Sequence, residues 1–295
     1  MSQKTLRQLL AQDKPLLLPC AHDALSARLI AQAGFEAYSI GGFGLVASRL
    51  GIPDLGLASF GEISAGVRDI IAANKSPVIV DGDDGYGDAK NVTRTVRTYE
   101  AMGVHGLIIE DQTNPKRCGH MGGKTVVSRE TAERKLQAAL AARQSAEFFI
   151  IARTDARAVL GMDEAIARGE RFLALGADAL FIEAPVSIEE LKTIGSHFCA
   201  PLVVNAAEAG RTPVLPPAEY ARIGFSIVAY PSSILLRVVS GIRAGIEAIR
   251  LGQMAKEPDI GKLDELTQIL GISEWMDIDD RFGAAIVPGA SKSNA

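Results

Sequence analysis

The chain has 295 residues, 47% hydrophobic and 22% charged, a composition that supports a large core and argues against disorder. A net charge of −4, a pI near 5.7 and the lack of any basic block make nucleic acid and anionic membrane poor partners. Cys20, Cys118 and Cys199 are too scattered for a disulfide framework or a zinc set, residues 1–10 lack a signal peptide's apolar core, and no apolar run approaches the roughly 20 residues that span a bilayer, so a soluble cytoplasmic protein is expected.

In chain order, residues 15–19 read as a strand and 23–33 as an amphipathic helix, followed by a glycine-led strand at 34–40. A strand at 77–80 precedes a helix at 92–102 and a glycine-led strand at 103–109. A helix at 131–143, a strand at 148–151, a helix at 163–175 and a glycine-led strand at 176–182 come next. The series closes with a helix at 188–197 and strands at 201–204 and 224–229. Gly34, Gly103, Gly176 and Gly224 suit the left-handed turn that ends a helix before a strand begins. Pro15, Pro77 and Pro201 sit at first strand positions, where proline is tolerated.

Eight short apolar strands alternating with helices predict a parallel sheet closed into an α/β, (β/α)₈ TIM barrel, with an open doubly wound sheet as the alternative. The expected organisation is one barrel domain over 1–295, in which 256–295 forms a C-terminal extension with a helical stretch at 260–270 and a polar tail.

Polar residues collect just after the strands, on the rim where barrel active sites are built: His22 and Asp23, Ser39, Asp81 and Asp83, Glu110 and Asp111, Arg153 and Asp155, Glu183, Asn205 and Glu208. Loops are polar in general, but Asp81, Glu110 and Glu183 directly follow apolar runs, where an unpartnered carboxylate is costly. The segment Asp81-Gly82-Asp83 offers hard oxygen ligands of the kind Mg²⁺ takes; an acidic turn is the other reading. The calcium-loop pattern fails at Val92, where a glutamate is needed.

Gly41-Gly42-Phe43-Gly44 is either a flexible glycine loop or a backbone-lined surface for a carboxylate or phosphate; as a dinucleotide fingerprint it is degenerate. Lys116-Arg117-Cys118-Gly119-His120, flanked by Pro115 and Gly122-Gly123, reads as a mobile loop with an activated cysteine, or as a solvated basic loop. Arg153 is placed to clamp a carboxylate or to make a structural ion pair. His105 lies at the wrong rim for chemistry.

Taken together, Asp81-Gly82-Asp83-Asp84-Gly85-Tyr86-Gly87, Glu110-Asp111-Gln112, the Lys116–His120 loop, Ile151-Ala152-Arg153-Thr154-Asp155 and the segment from Asn205 to Pro213 resemble the isocitrate lyase/phosphoenolpyruvate mutase superfamily, in order, from about Leu6 into the extension. The Lys-Arg-Cys-Gly-His loop is specific to its carbon–carbon lyase branch. The resemblance implies a barrel whose eighth helix is swapped between subunits, in a homotetramer built as a dimer of dimers. It implies Mg²⁺, or Mn²⁺ in its place, bound by Asp81 and Asp83, with Asp54 and Glu110 acting through waters. It assigns substrate contacts to Gly41, Gly42, Arg153, Glu183, Asn205 and Thr212, with Ser39 as a neighbour of the first two.

The implied reaction cleaves a 2-hydroxy dicarboxylate of the 2,3-dimethylmalate or 2-methylisocitrate kind. The hydroxyl loses its proton, the carbon–carbon bond breaks to give a 2-oxo acid, and Cys118 protonates the departing carbanion, with Lys116 and His120 keeping the loop electropositive. Three features bear on the substrate. Ile40 stands where the superfamily usually has serine; residues 205–210 depart from both common patterns; and Met121-Gly122-Gly123-Lys124 looks more like the dimethylmalate lyase and oxaloacetate hydrolase group. Pro213 leans towards lyase. Oxaloacetate hydrolysis or decarboxylation, a phosphonopyruvate-type mutase activity, and a barrel that binds a dicarboxylate without turnover are the alternatives.

Overall fold

The computed structural model describes residues 4–119, 121–208, 210–253 and 262–283. The element order is α1 (Leu6–Leu10), β1 (Leu16–Ala21), α2 (Ala24–Gln32), β2 (Tyr38–Ile40), α3 (Gly42–Leu50), α4 (Phe60–Ala73), β3 (Val78–Asp81), α5 (Ala89–Ala101), β4 (Gly106–Glu110) and α6 (Arg129–Ala142). Then come β5 (Phe149–Thr154), α7 (Ala156–Leu160), α8 (Met162–Ala174), β6 (Ala179–Ile182), α9 (Ile188–His197), β7 (Leu202–Asn205), α10 (Pro217–Arg222), β8 (Ile227–Tyr230), α11 (Ser233–Arg250), α12 (Leu263–Ile269) and α13 (Ile272–Phe282).

Each strand pairs in parallel with the next, and β8 pairs with β1, so the sheet is a closed eight-stranded barrel; the open-sheet alternative is excluded. The local chemistry explains the boundaries. Thr5, Asp23 and Ser59 each close a capping box, and Asp88, Ser128 and Ser187 cap α5, α6 and α9. Gly34, Gly103, Gly176 and Gly224 all have left-handed φ, between 78° and 104°, as the helix-to-strand turns require.

Strand alternation divides the core in two. Leu16, Leu18, Ala37, Ile79, Phe149, Ile151, Phe181, Val203 and Ile227 fill the barrel, and Leu6 and Leu9 of α1 pack against them. The intervening residues, among them Tyr38, Ile40, Val80, Leu107, Ile150, Leu180 and Val204, face the helices. Ile40 therefore points away from the barrel interior, and its replacement of a serine removes nothing from the inner column of β2.

Residues 1–246 form one compact unit and 247–295 a second. In the second, α12 packs on α13; Ile260 and the polar tail from Ser291 lie outside the described residues. The glycine segment after β2 is not a flexible loop but the start of α3, with Gly41 as its N-cap. Among the described residues no helix is long and apolar enough to cross a membrane.

Candidate active site

Continuing each inner column by two residues reaches the rim. Ile79 leads to Asp81, Ile151 to Arg153, Phe181 to Glu183 and Val203 to Asn205, so strand period alone aims these polar side chains inward. They border a cavity of about 310 Å³, together with Gly41, Gly42, Asp54, Lys116, Cys118 and Gly119. The lining also includes the apolar Phe43 of α3, Ala207, Pro231 and Leu236 of α11, beside the polar Glu208 and Ser232.

Arg153 is the centre of the charge network. Its guanidinium meets Asp155 at 2.9 Å, Glu183 at 3.2 Å, Glu110 at 3.3 Å and Asp81 at 3.8 Å, all with Arg153 buried. Asn205 Nδ2 donates to Glu183 at 3.1 Å. Lys116 enters from the loop, its buried ammonium 2.7 Å from both Asp54 Oδ1 and Asp83 Oδ1. Asp84 turns away to pair with Lys135 at 2.9 Å, so the acidic run splits between the site and α6.

Gly82 gives no open access to a ligand. A Cβ there would lie 2.8 Å from the Ile108 carbonyl, so glycine serves the close approach of β3 to β4. Asp83 and Ala184, beside Glu183, hold left-handed φ of 48° and 57°, a backbone cost concentrated at the rim.

Ion pairs link six carboxylates at the rim (Asp54, Asp81, Asp83, Glu110, Asp155 and Glu183) to three cations (Lys116, Lys124 and Arg153). Burial pushes the Asp83 carboxyl up to about 7; Lys116 pulls it down, and Asp81 and Asp54 push it further up. Burial likewise raises Glu110 well above the usual carboxylate range, against the pull of Arg153. Burial disfavours charge on Lys116 and Arg153 too, but the surrounding carboxylates outweigh it and hold both well above their ordinary values.

These residues fit a hard divalent cation. The donors are all oxygens, the site has an excess of negative charge, and among the described residues Glu110 Oε1 is buried without a hydrogen-bond partner. Among the described residues no three acidic, histidine or cysteine side chains converge into a metal-enclosing group by themselves. Mg²⁺ takes one or two carboxylates and keeps waters or substrate oxygens for the rest.

Some expected contacts fall elsewhere. Ser39 lies one rung below the rim, paired in register with Cys20, and Thr212 is buried with no partner for its hydroxyl; neither borders the cavity. The Gly41 N–H donates to Cys20 Sγ at 3.2 Å, which leaves the free first turn of α3, from Gly42, to face an anion. Glu208 borders the cavity but is engaged by Arg237 at 2.6 Å. His120 lies outside the described residues.

The roles of Lys124 and of the apolar lining are not visible in the sequence: Lys124 stands there only within a family pattern, and Phe43 and Leu236 look like ordinary amphipathic-helix positions. Lys124 is buried, with its ammonium 2.5 Å from both the Gly119 carbonyl and Asp155 Oδ1.

Fold and rim together define a (β/α)₈-barrel protein with a carboxylate-rich site at the C-terminal ends of its strands. The family described as phosphoenolpyruvate phosphomutase matches residues 6–250, and the chain belongs to the phosphoenolpyruvate mutase/isocitrate lyase superfamily of enzymes. It is similar to a 2,3-dimethylmalate lyase of Eubacterium barkeri, 44% identical over 228 residues, or 77% of this chain and 79% of that protein. It is also similar to the structure of an oxaloacetate acetylhydrolase in complex with 3,3-difluorooxalacetate: TM-score 0.91, 33% identity, 97% of this chain and 98% of that one. A phosphonopyruvate hydrolase solved with oxalate and Mg²⁺ aligns with TM-score 0.84 and 30% identity over 94% of this chain and 97% of that one.

Proposed function

We propose that this enzyme is a Mg²⁺-dependent carbon–carbon lyase that cleaves a 2,3-dialkylmalate. The observation that carries the reading is the mixed lining of one cavity, which combines Cys118, Arg153 and Asp81 with Phe43, Ala207, Pro231 and Leu236. A 2-hydroxy dicarboxylate with small alkyl groups matches both kinds of residue. A third carboxylate on the substrate would find Arg237 already paired with Glu208.

In this reading Asp81 and Asp83 hold Mg²⁺, or Mn²⁺ in its place, and Asp54 and Glu110 support it through waters. Bound there, the ion supplies Lewis-acid stabilisation of negative charge on the substrate's oxygens. Arg153 and the first turn of α3 at Gly42 orient the carboxylate next to the hydroxyl, while Glu183 and Asn205 fix the guanidinium from behind. A carboxylate base of the rim takes the C2 hydroxyl proton, the C2–C3 electron pair leaves with C3, and C2 becomes the carbonyl of a 2-oxo acid. Cys118 delivers its thiol proton to C3, whose charge is delocalised into the adjoining carboxylate. For 2,3-dimethylmalate the products are pyruvate and propionate. Lys116 and His120 maintain positive charge in the loop, and the loop excludes water from the carbanion.

Exposed Leu236, Val239, Ile242 and Ile246 on α11 support a helix-swapped homotetramer, as does the exposed apolar set Leu263, Trp275, Met276 and Phe282 in the second unit. The three scattered cysteines support a cytoplasmic location.

The test is product identity from purified protein with Mg²⁺, offered 2,3-dimethylmalate, unsubstituted malate, 2-methylisocitrate and oxaloacetate. Pyruvate plus propionate should dominate, and Cys118→Ser should lower cleavage by about 100-fold or more, the scale of a lost general acid. Acetate plus oxalate from oxaloacetate as the dominant products would establish hydrolysis, which the similarity to the acetylhydrolase structure favours as second reading. Undiminished cleavage by Cys118→Ser would sink the proposal.

A further inference from the structure

The loop carrying Cys118 leaves the barrel after β4 and returns at Lys124. Its base is fixed by backbone: Thr113 N–H donates to the Thr125 carbonyl at 2.9 Å, and Gln112 bridges Val126 in antiparallel fashion. Gln112 also ties the loop's outgoing limb, accepting from Arg117 N–H at 3.0 Å and donating to the Arg117 carbonyl at 2.9 Å. Past Arg117 the Cys118 N–H donates to the Asp54 carbonyl at 3.1 Å, but none of these contacts ties the thiol-bearing tip to the residues that hold Arg153.

Lys124 does. Its ammonium donates to the carbonyl of Gly119, one residue beyond Cys118, and to Asp155 Oδ1, both at 2.5 Å. Asp155 is the carboxylate that grips Arg153, through Nε at 2.9 Å and Nη2 at 3.2 Å. It is itself anchored from below, its N–H donating to Asp111 Oδ1 at 2.8 Å. One ammonium thus joins the loop tip to the acid that orients the guanidinium. The fit is close on that side: a Cβ on Gly119 would lie 2.6 Å from Arg153 Nη2.

We propose that Lys124 is a positioning residue, a latch that ties the Gly119 carbonyl to Asp155 and so holds the adjoining Cys118 against the cavity that Arg153 also lines whenever the loop is closed. Its role in turnover rests on the lyase reading; the latch itself is a property of the loop. An ammonium suits the task because it has three donors and can serve a backbone carbonyl and a carboxylate at once. A rival role, in which Lys124 only neutralises Asp155, makes a different prediction for the thiol.

The experiment is the rate of iodoacetamide alkylation at Cys118, read by mass spectrometry without any ligand, in a Cys199→Ser background; Cys20 is buried. The latch predicts that Lys124→Met alkylates faster by about tenfold, the scale of one lost charge-assisted hydrogen bond, and that Lys124→Arg stays close to the parent. Removing a nearby positive charge alone acts in the opposite direction, since it raises the thiol's pKa and slows alkylation. A slower or unchanged rate in Lys124→Met therefore overturns the latch, as does a fall in kcat with alkylation unchanged. With turnover measured in parallel, kcat should drop by about tenfold or more while KM moves by less than about threefold, the pattern of misplaced reacting groups. If Lys124→Met does not fold, Lys124→Gln, which keeps donors but no charge, takes its place, with a rate expected between those of Arg and Met. If the parent cleaves no 2-hydroxy dicarboxylate, the lyase reading fails, and the alkylation comparison still decides the latch.

Discussion

Replacing Gly119 by alanine puts a methyl group where the site has no room. The added carbon would fall 2.6 Å from Arg153 Nη2 and 2.7 Å from both Glu183 Cδ and Oε2. Neither neighbour can yield cheaply, because Arg153 is 6% exposed and tied to Asp155 and Glu110, while Glu183 is 1% exposed and held by Asn205. Overpacking of this kind costs about 1–3 kcal/mol. The loop is the softer partner, so the cost falls on its closed state and not on the barrel. At about 1.4 kcal/mol per factor of ten, kcat/KM for the malate substrate should fall by roughly 5- to 150-fold. The melting temperature should move by less than about 2 °C, and Cys118 should alkylate faster. Steady-state kinetics, thermal denaturation and thiol labelling on one preparation read all three. A Gly119→Ala enzyme within about twofold of the parent in kcat/KM refutes the packing argument. So does a large loss of melting temperature with thiol reactivity unchanged, because the clash would then have been absorbed by the barrel.

Mg²⁺ should raise the melting temperature of the parent protein and not that of Asp83→Asn, since a ligand stabilises only the state that binds it; an equal Mg²⁺ shift in both proteins would remove Asp83 from the proposed metal site. Phe149→Ala empties the barrel interior beneath the site at a residue 2% exposed, and should cost about 3–5 kcal/mol in denaturant unfolding; a loss under about 1 kcal/mol would contradict the inner-core assignment. The hydrogen bond from Arg129 holds the Glu164 carboxyl down at about 2, with burial opposing and Arg168 assisting. Because the folded-state value is depressed, its stabilisation is complete above the unfolded value near 4.5 and disappears as pH falls towards 2. Solvent screening discounts it to about 1 kcal/mol, so Glu164→Gln should lower the melting temperature by about 2 °C at pH 7 and by nothing at pH 2. An equal deficit at both values would show that the contribution is not electrostatic.

The barrel and the inner rim were legible because both follow from period two. An apolar strand that ends in Asp81, Arg153, Glu183 or Asn205 puts that residue on the same side as Ile79, Ile151, Phe181 or Val203, so once the strands close, the polar ends must converge. The helices at 42–50 and 60–73 were not legible, and their glycines are the reason. Gly44 and Gly66 depress helix propensity, yet a Cβ on Gly44 would meet His22 at 3.2 Å and one on Gly66 would meet Leu45 at 3.1 Å. The glycines are there for close packing, which is a tertiary fact.

The same limit separates the two halves of the site. A rim carboxylate announces itself by breaking an apolar run, but a loop cation shows nothing until the chain folds back. Lys116 reads as part of a mobile loop with an activated cysteine or of a solvated basic loop, Lys124 only as part of a family pattern, and both are buried against acids far away in sequence, Asp54 and Asp155. A cation can be buried so deeply only where carboxylates await it. The acids on the rim could therefore have been counted against the cations of the strands: Arg153 alone cannot balance Asp81, Glu110, Asp155 and Glu183. That imbalance demands positive charge from outside the barrel wall, and the loop's two lysines supply part of it. On the proposed reading, a divalent cation at Asp81 and Asp83 would supply the rest.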